Sequence, residues 1–218
     1  MENANGTIKE LIPFIQQDIT ILIDILYEIV SAISCLVTIN LFYIDIKMEN
    51  ILYQITSDGK IKIILTDLGS ISTSDDAKIT VTFDPPGYDK YKNYNNNNNE
   101  KKYMISWGIA ILILELLNIK EISNIIYKQL YNQRNTDGTT YFSYSSDYIN
   151  KKLIAICELI DRSFPKSPTR IFIVELIEKT LLYAEYNQIW SIDEIKSNIE
   201  LHKPSLNPIA TSETHLHK

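Results

Sequence analysis

Ten consecutive residues decide how this chain is interpreted: Tyr43-Ile44-Asp45-Ile46-Lys47-Met48-Glu49-Asn50-Ile51-Leu52. They contain the pattern Asp-x-Lys-x-x-Asn, and Asp67 follows seventeen residues after Asn50, within Thr66-Asp67-Leu68-Gly69. Each pattern alone is common by chance. Their meaning therefore depends on the elements that the neighbouring sequence predicts and on the order of those elements along the chain.

Helical periodicity precedes the ten residues and strand periodicity follows them. Apolar residues recur every three or four positions from Ile19 to Val37, which predicts a helix with one buried face, and Asp18 can cap it. Ile51–Ile55 and Ile61–Leu65 are short β-branched runs on either side of Ser57-Asp58-Gly59-Lys60. This arrangement predicts a β-hairpin directly after the Asp-x-Lys-x-x-Asn pattern.

Loops and buried helices are expected elsewhere. Thr7–Phe14 predicts a short helix, and the small polar residues of Ser70–Lys78 predict a loop, as does Asp84–Tyr88 with its two prolines. The Asn-rich stretch 88–102 is expected to be a disordered insertion. Met104–Leu117 is apolar nearly all round, which predicts a fully buried helix.

The rest of the chain is predicted to be mostly helical. Breaks are expected at Asn135–Ser146 and at Ser163–Pro168. We expect residues 182–203 to form a helical extension and residues 204–218 a frayed tail.

Phosphoryl transfer is a chemistry that would need the residue types of the two motifs. Asp67 and Asn50 can supply the hard oxygen ligands that Mg²⁺ prefers. Asp45 can accept the proton of an attacking hydroxyl, and Lys47 can stabilise the charge that grows on the phosphoryl oxygens. Gly69 is expected to let the chain turn sharply after the metal ligand.

From about Gly6 to Leu181 the sequence resembles the C-terminal lobe of eukaryotic protein kinases, whose signature set includes a catalytic loop followed by an Asp-Phe-Gly motif. The resemblance implies that Asp45 is the catalytic base and that Asn50 and Asp67 bind Mg²⁺. It implies that Lys47 contacts the ATP phosphates, as in the serine/threonine branch, and that Leu52 forms the floor under adenine. The implied cofactors are Mg²⁺ and ATP.

Weaker matches extend the resemblance. Pro85-Pro86-Gly87 is similar to the Ala-Pro-Glu that closes the kinase activation segment, and Thr80 falls at that segment's threonine. Ser106-x-Gly108 is similar to the start of the family's central buried helix. The resemblance therefore implies a mainly α fold with small β-hairpins, that is, a protein-kinase-like C-lobe over residues 1–181.

Several family residues are replaced in this chain. The His-Arg of the catalytic loop is Tyr43-Ile44; an aromatic ring can still stack there, but Ile44 cannot pair with a phosphate, so control by activation-segment phosphorylation is not expected. Gly87 and Ser167-Pro168-Thr169 lack the two charges that pair in the family. Tyr103 replaces the aspartate that anchors the catalytic loop.

The phosphate-covering loop has no counterpart in these 218 residues, because none of the six glycines are spaced as Gly-x-Gly-x-x-Gly. No lysine-bearing strand precedes Gly6, so the N-lobe is expected to be missing. Two functions stay open: a degenerate serine/threonine kinase that phosphorylates a protein substrate, and a pseudokinase or fragment that binds a protein partner on the face left open.

Composition restricts the class of protein. An apolar share of 45% and a charged share of 22% fit a globular chain and exclude a wholly disordered one. The net charge of −6 argues against nucleic-acid binding. Two cysteines, charges within the apolar stretches and a polar start at Met1–Asn5 favour a cytoplasmic protein with no membrane partner.

Overall fold

A computed structural model describes residues 4–73, 97–126, 146–181 and 189–203 of the chain. This part is mostly helical, with two small antiparallel sheets, so the expected mainly α class with small hairpins is confirmed. In chain order the elements are β1 Gly6–Thr7, α1 Ile12–Gln17, α2 Thr20–Thr38, β2 Leu41–Tyr43, β3 Ile51–Ile55, β4 Ile61–Leu65, β5 Ile71–Thr73, α3 Asn97–Leu117, α4 Lys120–Asn124, α5 Ser146–Ser163, α6 Pro168–Leu181 and α7 Ile192–His202.

The predicted hairpin forms where the sequence placed it. β3 pairs with β4 from Ile51 opposite Leu65 to Ile55 opposite Ile61, and the turn between them contains Gly59 with a φ of 77°. A glycine adopts that left-handed conformation without steric cost. β1 extends this sheet on the other edge of β3.

The region predicted as one helix over Thr7–Phe14 is divided in the structure. Gly6–Thr7 is a strand, Ile8–Leu11 is a 3₁₀ helix, and the α-helix begins only at Ile12, next to Pro13. Proline has no backbone N–H to donate, so it suits the first turn of a helix and not its interior. The expectation of a single helix is wrong for this reason.

Helices α2 and α3 form the centre of the hydrophobic core. The long helix predicted from Ile19 is α2, and the Asp18 carboxylate accepts hydrogen bonds from the N–H and hydroxyl of Thr20. The predicted all-round burial of Met104–Leu117 is confirmed, since nearly all of these side chains are buried. α7 packs along α2, and α6 packs along α3.

One predicted loop and one predicted disordered segment are partly described by the structure, and there both expectations are wrong. Ile71–Thr73, inside the predicted loop Ser70–Lys78, is strand β5 and pairs with β2. Residues 97–102 of the predicted disordered insertion lie in α3, which therefore begins well before Ser106-x-Gly108. In both cases tertiary contacts override a polar local composition.

Other expectations lie partly or wholly outside the described residues. These are the rest of the loop after Thr73, residues 88–96 of the insertion, Thr80, Pro85-Pro86-Gly87, most of the break at 135–146 and the tail from 204. The break at Ser163–Pro168 is confirmed, because α5 ends at Ser163 and α6 begins at Pro168. The helical extension expected over 182–203 contains α7 within its described part.

The junction between α5 and α6 is stabilised by an arginine. The Arg170 guanidinium donates to the carbonyl oxygens of Asp161 and Phe164 at 3.0 and 2.9 Å. Asp161 is in the last turn of α5 and Phe164 directly follows the helix. Carbonyls at a helix C-terminus have no N–H partner within the helix. Arg170, three residues after Ser167, thus supplies hydrogen bonds to the C-terminal end of α5.

Within the part of the chain that the structure describes, α2 is long and apolar enough to span a membrane, judged by length and composition alone, with a mean hydropathy of 2.0. A core helix passes the same test. One face of α2 is fully buried against the rest of the fold, and it includes Leu22, Ile23, Leu26, Ile29 and Ile33.

Candidate functional site

The Asp-x-Lys-x-x-Asn segment alternates buried and accessible side chains. Ile44 and Ile46 are buried, whereas Asp45 and Lys47 between them are partly exposed. Strand β2 ends at Tyr43, and a 3₁₀ turn, Met48–Asn50, connects the segment to β3. The apolar residues attach the segment to the core, so that the two charged side chains are presented at its surface.

Three side chains of this segment form one hydrogen-bonded cluster. The Lys47 ammonium lies 2.7 Å from Asp45 Oδ2. Asn50 Nδ2 donates to the same Oδ2 at 3.2 Å and to the Asp45 backbone carbonyl at 3.1 Å. The Asn50 side chain is buried, so these bonds fix its orientation. The residues predicted as base, phosphate contact and metal ligand are therefore brought together.

Backbone hydrogen bonds connect this cluster to the second motif. The Asn50 carbonyl oxygen accepts from the N–H and the hydroxyl of Thr66, at 2.9 and 3.0 Å. Thr66 immediately precedes Asp67. The two motifs, sixteen residues apart at these positions, are thus joined across the base of the hairpin.

Tyr43 contributes more than the stacking ring expected from the sequence. Its buried hydroxyl donates to the Thr66 carbonyl at 2.7 Å and, more weakly, to the Asn50 carbonyl at 3.2 Å. Burial, and then the negative charges of Asp45 and Asp67, raise the pKa of Tyr43 well above its usual range. Both carboxylates thus disfavour the ionised form of the same phenol.

The sharp turn of the second motif occurs at Asp67 and not at Gly69. Asp67 has φ and ψ both at 53°, in the left-handed region, and is exposed. Gly69 has no positive φ, and an added Cβ would meet only Asp67 Oδ1 at an ordinary 3.7 Å. The expected need for glycine is wrong. A non-glycine residue in this region is uncommon, and such strain concentrates at functional sites.

Gly108 allows helix α3 to pack closely against Ile46, on the core side of the site. A Cβ at this position would lie 3.0 Å from the Ile46 Cβ atom. Ile46 lies between Asp45 and Lys47, so helix α3 supports the segment from below at a distance that only glycine permits without displacement. The sequence match of Ser106-x-Gly108 identified the residue but not this contact.

Leu52 lies on the side of the small sheet that faces away from the core. It pairs with Thr7 on β1 and with Ile64 on β4. Since residues directly opposite each other share a face, Leu52 and Ile64 form a half-exposed apolar surface beside the cluster. The sequence predicted Leu52 as a floor under adenine, but it gave no indication of Ile64.

The oxygen atoms that Asn50 and Asp67 can offer as metal ligands fit a magnesium ion that is held mainly by phosphate oxygens. Asn50 uses Nδ2 for its hydrogen bonds to Asp45, which leaves the amide oxygen as the atom for a metal. Asp67 supplies an exposed carboxylate. Magnesium commonly takes one or two protein ligands together with substrate phosphates. Among the described residues, no group of three or more His, Cys, Asp or Glu side chains could hold a metal.

Comparison with other proteins adds no assignment. The chain matches no model of a known protein family. A comparison with curated proteins gave no match either. The site must therefore be interpreted from its own geometry.

Proposed function

We propose that this chain is a protein-kinase-like C-terminal lobe, and that its cluster binds Mg²⁺·ATP for phosphoryl transfer to a protein hydroxyl. The observation that carries the proposal is the cluster of Asp45, Lys47 and Asn50, hydrogen-bonded through Thr66 to the turn at Asp67. The fold class and the order of elements support it.

The roles follow from the atoms that the cluster presents. The attacking hydroxyl oxygen would form a bond to the γ-phosphorus, its proton would pass to the Asp45 carboxylate, and the bond from that phosphorus to ADP would break. Lys47 would stabilise charge on the phosphoryl oxygens. Asn50 and Asp67 would hold Mg²⁺, which when bound neutralises the phosphates.

The Lys47–Asp45 ion pair suits this role. Asp45 is the more buried partner, with a side-chain exposure of 12% against 31% for Lys47. An ammonium that is more accessible than its carboxylate partner can move to a phosphate, while the carboxylate stays fixed by Asn50. The Leu52 and Ile64 surface would then lie beneath the adenine ring.

We expect unaided transfer to be slow. The 218 residues contain no Gly-x-Gly-x-x-Gly loop to cover the phosphates. Catalysis of this reaction depends mostly on positioning and electrostatics. We propose that efficient transfer requires such a loop and an ATP-orienting lysine, supplied from outside these 218 residues.

A non-catalytic binding protein is the second candidate, with the character of a pseudokinase. It is favoured by apolar side chains exposed on one face of the hairpin and on the turn that follows it: Leu52 and Ile64 are half-exposed, and Leu68 is 60% exposed. Contiguous exposed apolar surface often marks a protein interface. This candidate does not require nucleotide binding.

We further propose that the protein acts in the cytoplasm on protein partners, and not on nucleic acid or a membrane. The net charge of −6 disfavours binding to the phosphate backbone of a nucleic acid. Cys35 and Cys157 are both unpaired thiols, as is usual in a reducing compartment. The apolar face of α2 is used for core packing.

Calorimetric titration of the purified chain with Mg²⁺·ATP tests the proposal. We expect binding with a Kd on the order of a millimolar or tighter. Binding should disappear when Mg²⁺ is removed or when Asp67 is replaced by Asn, because a metal ligand is lost. Glu49→Gln, an exposed acid on the same segment, is the matched control and should bind as the wild type does. Absence of binding by the wild type at several times that concentration would favour the non-catalytic candidate.

A further inference from the structure

Lys101 is a buried charged residue that the proposed reaction does not use. It lies near the start of α3 with 0% exposure, an unusual position for an ammonium group. Its Nζ donates to the backbone carbonyl of Thr73 and lies 5.6 Å from the centroid of the Phe42 ring. A buried cation costs free energy unless hydrogen bonds and ring faces compensate for lost water.

Thr73 and Phe42, both contacted by Lys101, belong to two paired strands. Phe42 is in β2 and Thr73 is in β5, and Phe42 lies opposite Ser72 in their register. Each strand has three residues. A two-stranded ladder of this size is not stable without support from another element. Lys101 supplies a contact from α3 to both strands.

Both strands lead directly to the candidate site. β2 ends at Tyr43, two residues before Asp45, and β5 begins at Ile71, four residues after Asp67. A change in how β5 lies against β2 would therefore move the two carboxylates relative to each other.

We propose that Lys101 is a positioning residue of the site: its ammonium holds β5 against β2 and thereby fixes the separation of Asp45 and Asp67. The effect on nucleotide binding rests on the proposed function, whereas the effect on the strands does not. The sequence alone placed Lys101 in a disordered insertion, so the residue could not be identified without the fold.

Amide hydrogen exchange of the full chain with Lys101→Met tests the proposal. Methionine keeps an unbranched apolar stem and removes the donor. We expect the amides of β2 and β5 to exchange at least about tenfold faster relative to those of β3 and β4. Ile160→Ala is the control, because it opens a cavity in α5, which packs against α4 and α6. The control should not change β2 and β5 selectively.

A second measurement connects the strands to the site. Mg²⁺·ATP affinity should fall about tenfold in Lys101→Met and less than about threefold in Ile160→Ala. Lys101→Gln retains a donor, so it should lose less of both properties, and it replaces the Met variant if that variant does not fold. Equal acceleration of exchange in both sheets, or none, would overturn the proposal. A wild type that binds no nucleotide would contradict the proposed function, while the exchange result would still decide the role of Lys101.

Discussion

Replacement of Asp45 by Asn is expected to reduce phosphoryl transfer about a hundredfold to ten-thousandfold, the usual contribution of a general base. The Asp45 carboxylate accepts hydrogen bonds from both Lys47 and Asn50. Its position is therefore fixed before a substrate hydroxyl binds. An amide has nearly the same shape but cannot accept the proton. Transfer to a mixture of protein substrates, in the presence of Mg²⁺ and labelled ATP, measures the effect.

The affinity for Mg²⁺·ATP should remain within about threefold in Asp45→Asn, because Asn50 and Asp67 are unchanged and only turnover depends on the base. Glu49→Gln removes a carboxylate from the exposed side of the same segment and should transfer at the wild-type rate. Transfer that survives in Asp45→Asn at the wild-type rate would refute the role of Asp45.

Tyr43→Phe is expected to lower the free energy of unfolding by about 1–3 kcal/mol, the cost of leaving a buried polar group without its partner. The Tyr43 hydroxyl donates to the Thr66 carbonyl in a part of the fold where water has little access. The same hydroxyl also donates, more weakly, to the Asn50 carbonyl. Loss of the hydroxyl should therefore also weaken the connection between the two motifs. Urea denaturation measures the first effect and Mg²⁺·ATP titration the second.

Tyr53→Phe provides the control for the loss of a hydroxyl. Tyr53 lies on β3, in the sheet next to the site, and its side chain is also buried. We expect its replacement to change stability less than that of Tyr43, and nucleotide affinity not at all. An equal loss of stability and affinity in the two variants would show that the Tyr43 hydrogen bonds have no special effect on the site.

The sequence predicted those elements whose periodicity and turn chemistry agree. β3 and β4 were predicted with their observed bounds, because β-branched runs flank a turn that contains Gly59. The buried Met104–Leu117 was predicted because an apolar surface around the whole helix can only be accommodated in a core.

Elements defined by a distant partner could not be predicted in this way. β5 is short and polar in sequence, and it becomes a strand only because β2 lies beside it. The first turns of α3 were hidden by the Asn-rich composition, although Lys101 on one of them is fully buried. Local propensity is a weak guide where tertiary contacts decide the conformation.

At the site, the spacing of residues in the sequence identified the polar side chains, whereas the contacts that hold them in place are seen only in the fold. Asp45, Lys47 and Asn50 were selected from one short pattern, and the structure places them in mutual contact. The hydrogen bond from the Tyr43 hydroxyl to the Thr66 carbonyl and the close approach of Gly108 to Ile46 join residues that are far apart in sequence. No short pattern could have indicated those contacts.

The proposed metal site can be located directly with a paramagnetic ion. Mn²⁺ replaces Mg²⁺ at sites of hard oxygen ligands, and its unpaired electrons broaden the resonances of nearby amides. With ATP and Mn²⁺ added to the isotope-labelled chain, we expect broadening to be strongest at Asn50 and Asp67 and weak along α5. We also expect Asp67→Asn to abolish the effect. Unchanged amide signals at Asn50 and Asp67, with broadening elsewhere or nowhere, would contradict the proposed metal and nucleotide site.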